Sequence, residues 1–506
     1  MKNLNYLLSA IAVCLVSTGA FAQSTWNTGA GSWNTAGNWT PSGVPNSVGA
    51  VANFNLTASA AITLDNAITI GGLNILQTGN FTTTIGNGTG GTLTWATSSG
   101  TPTISVAGNN ASQLELNFTS TMLGSQGLTL SSSGEAIRFS SGINWSGFSG
   151  TLTVAQGYLD PQAGSLLPVQ ELVLGTTASG TGNLGANLGM TYSGSPRSET
   201  VGGLNGNSYG FIANNNFGGI STLTVGSLNE NGSFAGTIGK NSYDSSTQFR
   251  SMISVTKTGT GTQVLSGANY YGGTTTISGG SLLVDGTHTA TIIGVNATSI
   301  NTGGAPALTT GQGGKYQVNS TGTLGGTGTI KPFDTLGGTV MINVNSGGIL
   351  APGDLNINNG IGTLTLDGSA SSASLLILNS GATLSYNLNT GLASSQLAIV
   401  NAQVNDVFFN NNIINFNDLT AGSLSAGQYI LFSSDSANTY NGLTTSGSVI
   451  TSGLSIGTGL AAYNADLQVS GNDVDLDIIS PAPEPSGLFL GGLGLLALLT
   501  TMRRSS

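Results

Sequence analysis

Three sets of side chains could do chemistry here: one imidazole, one run of carboxylates and one group of indoles. His288 is the single histidine, and Asp285-Gly-Thr-His-Thr289 reads as a turn entering the next strand. A lone imidazole cannot complete a two-histidine metal site, and no nucleophile signature accompanies it, so it reads as a solvated loop residue. Acids are scattered except in Asp473-Val-Asp475-Leu-Asp477, where a period of two sets three carboxylates on one strand face. They could share a Ca²⁺, but three like charges on a solvent-facing terminal strand also deter edge pairing, and the edge role is the one expected. Trp26, Trp33 and Trp39 lie within a glycine-rich stretch ending at Pro45. Their faces could stack on sugar rings, yet a repetitive β core also needs its first layer covered, and that cap is the expected role. No residue is assigned a catalytic role and no cofactor or metal is expected. Enzymes that cleave polysaccharides gather carboxylates, or hold Ca²⁺ beside a Lys or Arg base, and these acids are dispersed.

The elements that must position these groups are short strands bounded by glycine: Gly127-Leu-Thr-Leu130, Gly150-Thr-Leu-Thr-Val154, Ser221-Thr-Leu-Thr-Val225, Gly280-Ser-Leu-Leu-Val284 and Gly362-Thr-Leu-Thr-Leu366. Alternation puts Leu, Val and Ile on a buried face and Thr or Ser on the other, while glycine turns the corners. Intervals of order twenty residues suit one coil of a solenoid in which each rung covers its neighbour's open edge. The expected fold is therefore all-β, a right-handed parallel β-helix (β-solenoid); the alternative is a pair of antiparallel β-sandwiches. At about 22 residues and about 4.8 Å per rung, the coil would extend on the order of 100 Å.

Only 6% of residues are charged, whereas Gly supplies 79 of 506 positions. Stacked identical Asn and Thr side chains can hydrogen-bond along a ladder, while stacked charges repel, which gives the scarcity a physical cause. Asp and Glu number 20 against 10 Lys and Arg, three of which (Lys2, Arg503 and Arg504) lie in the end segments. With no basic cluster between, nucleic acid is excluded as a partner. Neutral polysaccharide, envelope material, cations or proteins remain.

Both ends read as export signals. Lys2 precedes the apolar stretch Leu7 to Val16, and Ala20-Phe21-Ala22 offers the small residues a signal peptidase reads, so residues 1–22 are an expected signal peptide and Gln23 the first mature residue. The one cysteine, Cys14, would leave with it. At the other end, Pro483-Glu484-Pro485 precedes an apolar run from Gly487 to Met502 and the basic pair Arg503-Arg504. As a helix that run spans about 24 Å, short of the roughly 30 Å core of a bilayer, which suits transient insertion. This tail, residues 481–506, resembles the PEP-CTERM sorting domain. The resemblance implies Pro483, Glu484 and Pro485 as the motif, 487–502 as a short hydrophobic helix, 503–504 as the basic stop, and recognition by an exosortase in a Gram-negative-type bacterium that also secretes exopolysaccharide. A plain membrane anchor is the alternative.

Residues 256–284 form the best single repeat unit. Lys257, Gly259-Thr-Gly-Thr262, Leu265-Ser-Gly-Ala-Asn269, Tyr271 and Gly279-Gly-Ser-Leu-Leu-Val284 resemble the autotransporter-associated β-strand repeat, with Gln263 and Thr274 departing from it. The resemblance implies a β-helical passenger and names no activity. An autotransporter passenger would be followed by a membrane β-barrel, whereas this sequence ends in the basic tail. The expected division is a solenoid over 23–370, a β cap over 371–480 and the sorting tail. The expected product is a non-enzymatic protein of the cell surface, outer membrane or extracellular matrix, serving adhesion or exopolysaccharide and biofilm association. A β-helix polysaccharide lyase or glycoside hydrolase, and a passive spacer, are the other readings.

Overall fold

The computed structural model describes residues 23–481 apart from internal stretches, the longest being 241–251 and 291–313. The leader with Ala20 and Ala22, and the tail with Pro483, Glu484, Pro485, the run 487–502, Arg503 and Arg504, lie outside the described residues. Within them the chain is nearly all β, with long parallel sheets in the arrangement of a β-solenoid and no α-helix. None of the described residues forms a helix long and apolar enough to cross a membrane.

Each coil has three sides. In the repeat, Ile253–Lys257, Thr262–Leu265 and Ala268–Asn269 lie one on each side, and Thr275–Ile277, Gly280–Val284 and Thr287–Thr289 stack on them in parallel register. Thr262 pairs with Ser281, Ser281 with Thr323, and Thr323 with Ile349, so one side continues coil after coil. Among the described residues this side belongs to a 21-stranded sheet. Parallel pairing of this extent is unlike a pair of antiparallel sandwiches.

The alternation seen in the sequence is what closes the coil. Ser221–Val225 buries Leu223 and Val225 while Thr222 and Thr224 face outward. Burying each such Leu or Val contributes about 2 kcal/mol, multiplied along the ladder. Outward amides form ladders of their own: Asn74 donates to Asn53 at 3.0 Å, Asn345 to Asn319 at 2.9 Å, Asn379 to Asn343 at 2.7 Å and Asn417 to Asn387 at 3.0 Å. Gly259 turns its corner with φ +66°, and a Cβ there would stand 2.1 Å from the Gly226 carbonyl oxygen.

Gln263, a departure from the repeat pattern, points inward and is buried. Its Nε2 donates to Leu204 O at 2.8 Å and its Oε1 accepts from Leu204 N at 3.2 Å. The side chain passes Gly232, where a Cβ would stand 2.3 Å from Oε1. An amide thus does for Leu204 what a neighbouring backbone would do.

Parallel pairing continues in the described strands from Ser374 onward. Ser374–Leu378, Thr383–Asn389 and Gln396–Val400 stack in parallel on the preceding coil, and Leu397 still pairs in parallel with Phe432. The main antiparallel segment comes later, where Asp473–Pro481 pairs with Gly427–Ser434 on one side and Tyr463–Ser470 on the other.

Candidate functional site

The indoles come together at the first parallel strands, where Gln23–Trp26 pairs with Val51–Leu56. Trp39 meets Trp26 edge-on at 5.0 Å and Trp33 at 4.9 Å, and all three contact Phe54. Trp33 Nε1 donates to Pro45 O at 3.1 Å and Trp39 Nε1 to Trp33 O at 2.8 Å. With exposures of 3%, 0% and 1% for Trp26, Trp33 and Trp39, no indole face is open to a sugar, so the stacking role is withdrawn.

Asp473, Asp475 and Asp477 do share a strand face, but that strand is not at an edge: Asp475 lies between Ile430 and Gln468. Deterring edge pairing is therefore not their role. Gln468 Nε2 donates to Asp477 Oδ2 at 2.9 Å and Ser434 N to Asp473 Oδ1 at 3.3 Å, whereas Asp475 Oδ1 is buried without a partner among the described residues. Burial, then the charges of Asp473 and Asp477, push Asp475 up to about 6. Among the described residues no three carboxylate, His or Cys groups are placed to hold a metal ion, and the aspartate row does not form a Ca²⁺ site.

His288 is a core residue of the strand Thr287–Thr289, not a solvated loop residue. Its ring stacks on Tyr271 at 3.9 Å, Nε2 donates to Tyr271 O at 2.8 Å, and Nδ1 accepts from the Tyr316 hydroxyl. The carbonyl can only accept, so the proton sits on Nε2 and the imidazole is neutral. Burial pushes it down to about 4. Lys257 is buried too: Nζ donates to Thr258 O at 2.6 Å, Gly279 O at 3.2 Å and Gly259 O at 3.3 Å. Burial lowers it to about 8. Both side chains are committed to packing the repeat.

The feature that sequence reasoning missed is a groove of about 710 Å³ on the outer face of the 21-stranded sheet. Its lining runs from Asn205 to Asn417 across seven parallel steps between neighbouring strands. At about 4.8 Å per step that is roughly 33 Å along the stack. One wall is the turn Asp354-Leu355-Asn356, where Asp354 Oδ1 accepts from Asn356 N at 2.8 Å and from its side chain at 2.9 Å. The Asp354 carboxyl also meets that of Asp285; burial, with this neighbour, raises Asp285 to about 6 against the Thr327 N–H, which favours the anion. Each carboxyl has its own fixed donors, Thr327 N for Asp285 and Asn356 for Asp354.

Residues 255–284, the stretch that holds Lys257 and Gln263, match the family described as Passenger-associated-transport-repeat. No curated protein matches the chain. The repeat points to an exported, surface-associated β-rich protein of autotransporter-associated type.

Proposed function

We propose that this protein is a non-enzymatic, exosortase-sorted β-solenoid of the cell surface or extracellular matrix, serving adhesion or exopolysaccharide association. The observation that carries the reading is the passenger-type repeat built into a parallel stack whose polar side chains are almost all neutral. Rows of amides and hydroxyls give such a stack a long uncharged face, suited to contact with extended polymers rather than to turnover. Signal peptidase would remove residues 1–22 and leave Gln23 first. The tail would halt in the membrane through Arg503 and Arg504 while Pro483, Glu484 and Pro485 are read by the exosortase.

Replacing Pro483-Glu484-Pro485 by alanines is the test of the sorting step. The variant should fold but remain cell-associated with its tail uncut, and release and processing equal to the wild type would refute specific sorting. Incubating the purified protein with acidic and neutral exopolysaccharides, with and without Ca²⁺, tests the non-enzymatic part. New reducing ends or unsaturated products would replace this reading with a β-helix lyase or hydrolase.

A further inference from the structure

We infer that the groove on the long sheet is a binding site for an extended, uncharged polysaccharide strand lying along the stack. This deepens the proposed function, on which it rests, by naming a ligand class and a place. Two parallel rows of side chains carry the argument. Thr262, Ser281 and Thr323 are in register on successive strands and line the groove, and their hydroxyls have no hydrogen-bond partner among the described residues. Beside them runs an apolar row in the same register, Val264, Leu283, Gly325 and Ala351. Gly325 has no side chain, which keeps the floor low between Leu283 and Ala351.

A pyranose ring presents the same duality, hydroxyls around its edge and C–H groups on its faces. Hydroxyls that can both donate and accept match sugar hydroxyls without charge, and the apolar row covers the C–H face. The charge of the groove selects among polymers. Among the described residues its lining has no Lys or Arg, and its one ionisable residue there, Asp354, is 4% exposed and turned toward Asn356 and Asp285. Nothing there would compensate a uronate or a phosphate, so an acidic polymer would give up hydration without a counter-charge. A lining that continues for roughly 33 Å in one direction fits several consecutive sugars rather than one.

The test uses purified full-length protein and fluorescently labelled hexasaccharides: β-1,4-glucose, β-1,3-glucose, α-1,4-glucose and β-1,4-N-acetylglucosamine, with hexagalacturonate as the acidic probe. At least one neutral hexamer should bind ten-fold or more tightly than its own disaccharide, and hexagalacturonate should not compete. Leu283→Arg and Thr323→Tyr, both facing outward, should each weaken binding at least ten-fold while circular dichroism and protease resistance stay as in the wild type. No binding of any neutral hexamer to folded protein would overturn the site, as would equal binding to both groove-filling variants. Should the hexamers fail while surface delivery and tail processing proceed, the groove assignment falls and the proposed function stands.

Discussion

Acid should loosen the repeat at His288 in particular. The imidazole is free to protonate near 6.5 in the unfolded chain but burial holds it to about 4 in the folded one, against the Tyr271 carbonyl, which favours the cation. Between those values the unfolded state binds more protons, so this stabilisation is fully present above about 6.5 and lost as the pH falls toward 4. Linkage over that span gives a cost of about 2–3 kcal/mol on moving from pH 7 to 4.5, a rise in local opening of between one and two orders of magnitude. Asp285, raised to about 6, has the opposite sign: it favours the folded state in acid and loses that contribution as the pH rises through 6. The measurement is hydrogen exchange of peptides covering 268–290, corrected for intrinsic rate, in wild type and His288→Gln. The Asp285 contribution is common to both proteins, so the difference between their pH profiles isolates the imidazole. Wild type should lose protection steeply below pH 6 relative to the variant. Parallel profiles would refute the buried neutral imidazole.

Three further outcomes follow from the geometry. Lys257 is lowered from 10.5 to about 8, so the unfolded chain binds more protons between those values and this residue's contribution to stability should rise with pH across that window; between pH 8 and 10 the urea midpoint of wild type should gain relative to that of Lys257→Met, which should also be weaker at pH 10 because the neutral amine still has two N–H groups for the surrounding carbonyls and methionine has none. Asp475→Asn should raise the thermal midpoint at pH 7.5 and flatten the fall in stability that wild type shows as pH rises from about 4 to about 6, since the unpaired buried carboxylate is the charge that burial penalises. Gly259→Ala should cost about 1–3 kcal/mol in chemical denaturation, from a positive φ and a Cβ lodged against the Gly226 carbonyl.

Legibility followed the range of the interactions. Alternation in Ser221–Val225 or Gly280–Val284 is local, and it revealed strands, their buried face and the parallel stacking that glycine-bounded repeats favour. His288 was misread because Gly286 and Thr287 look like a turn, while the residues that bury it, Tyr271 and Tyr316, lie 17 and 28 residues away. The aspartate row was read as an edge because its pairing with Gly427–Ser434 crosses a long stretch of chain and leaves no local mark. Gln263 looked like a flaw in the repeat, yet it bonds to Leu204, 59 residues earlier. The groove was illegible for the same reason: ordinary Ser, Thr and Asn residues from 205 to 417 become a site only once the register lines them up.

Intact-mass measurement of the protein recovered from outside the cell tests most directly the claim that this stack is delivered to the surface with both end segments spent. A chain beginning at Gln23 and lacking the apolar run 487–502 is the predicted product. Full-length chain, found with the mass of residues 1–506 and confined to the cell interior, would contradict it.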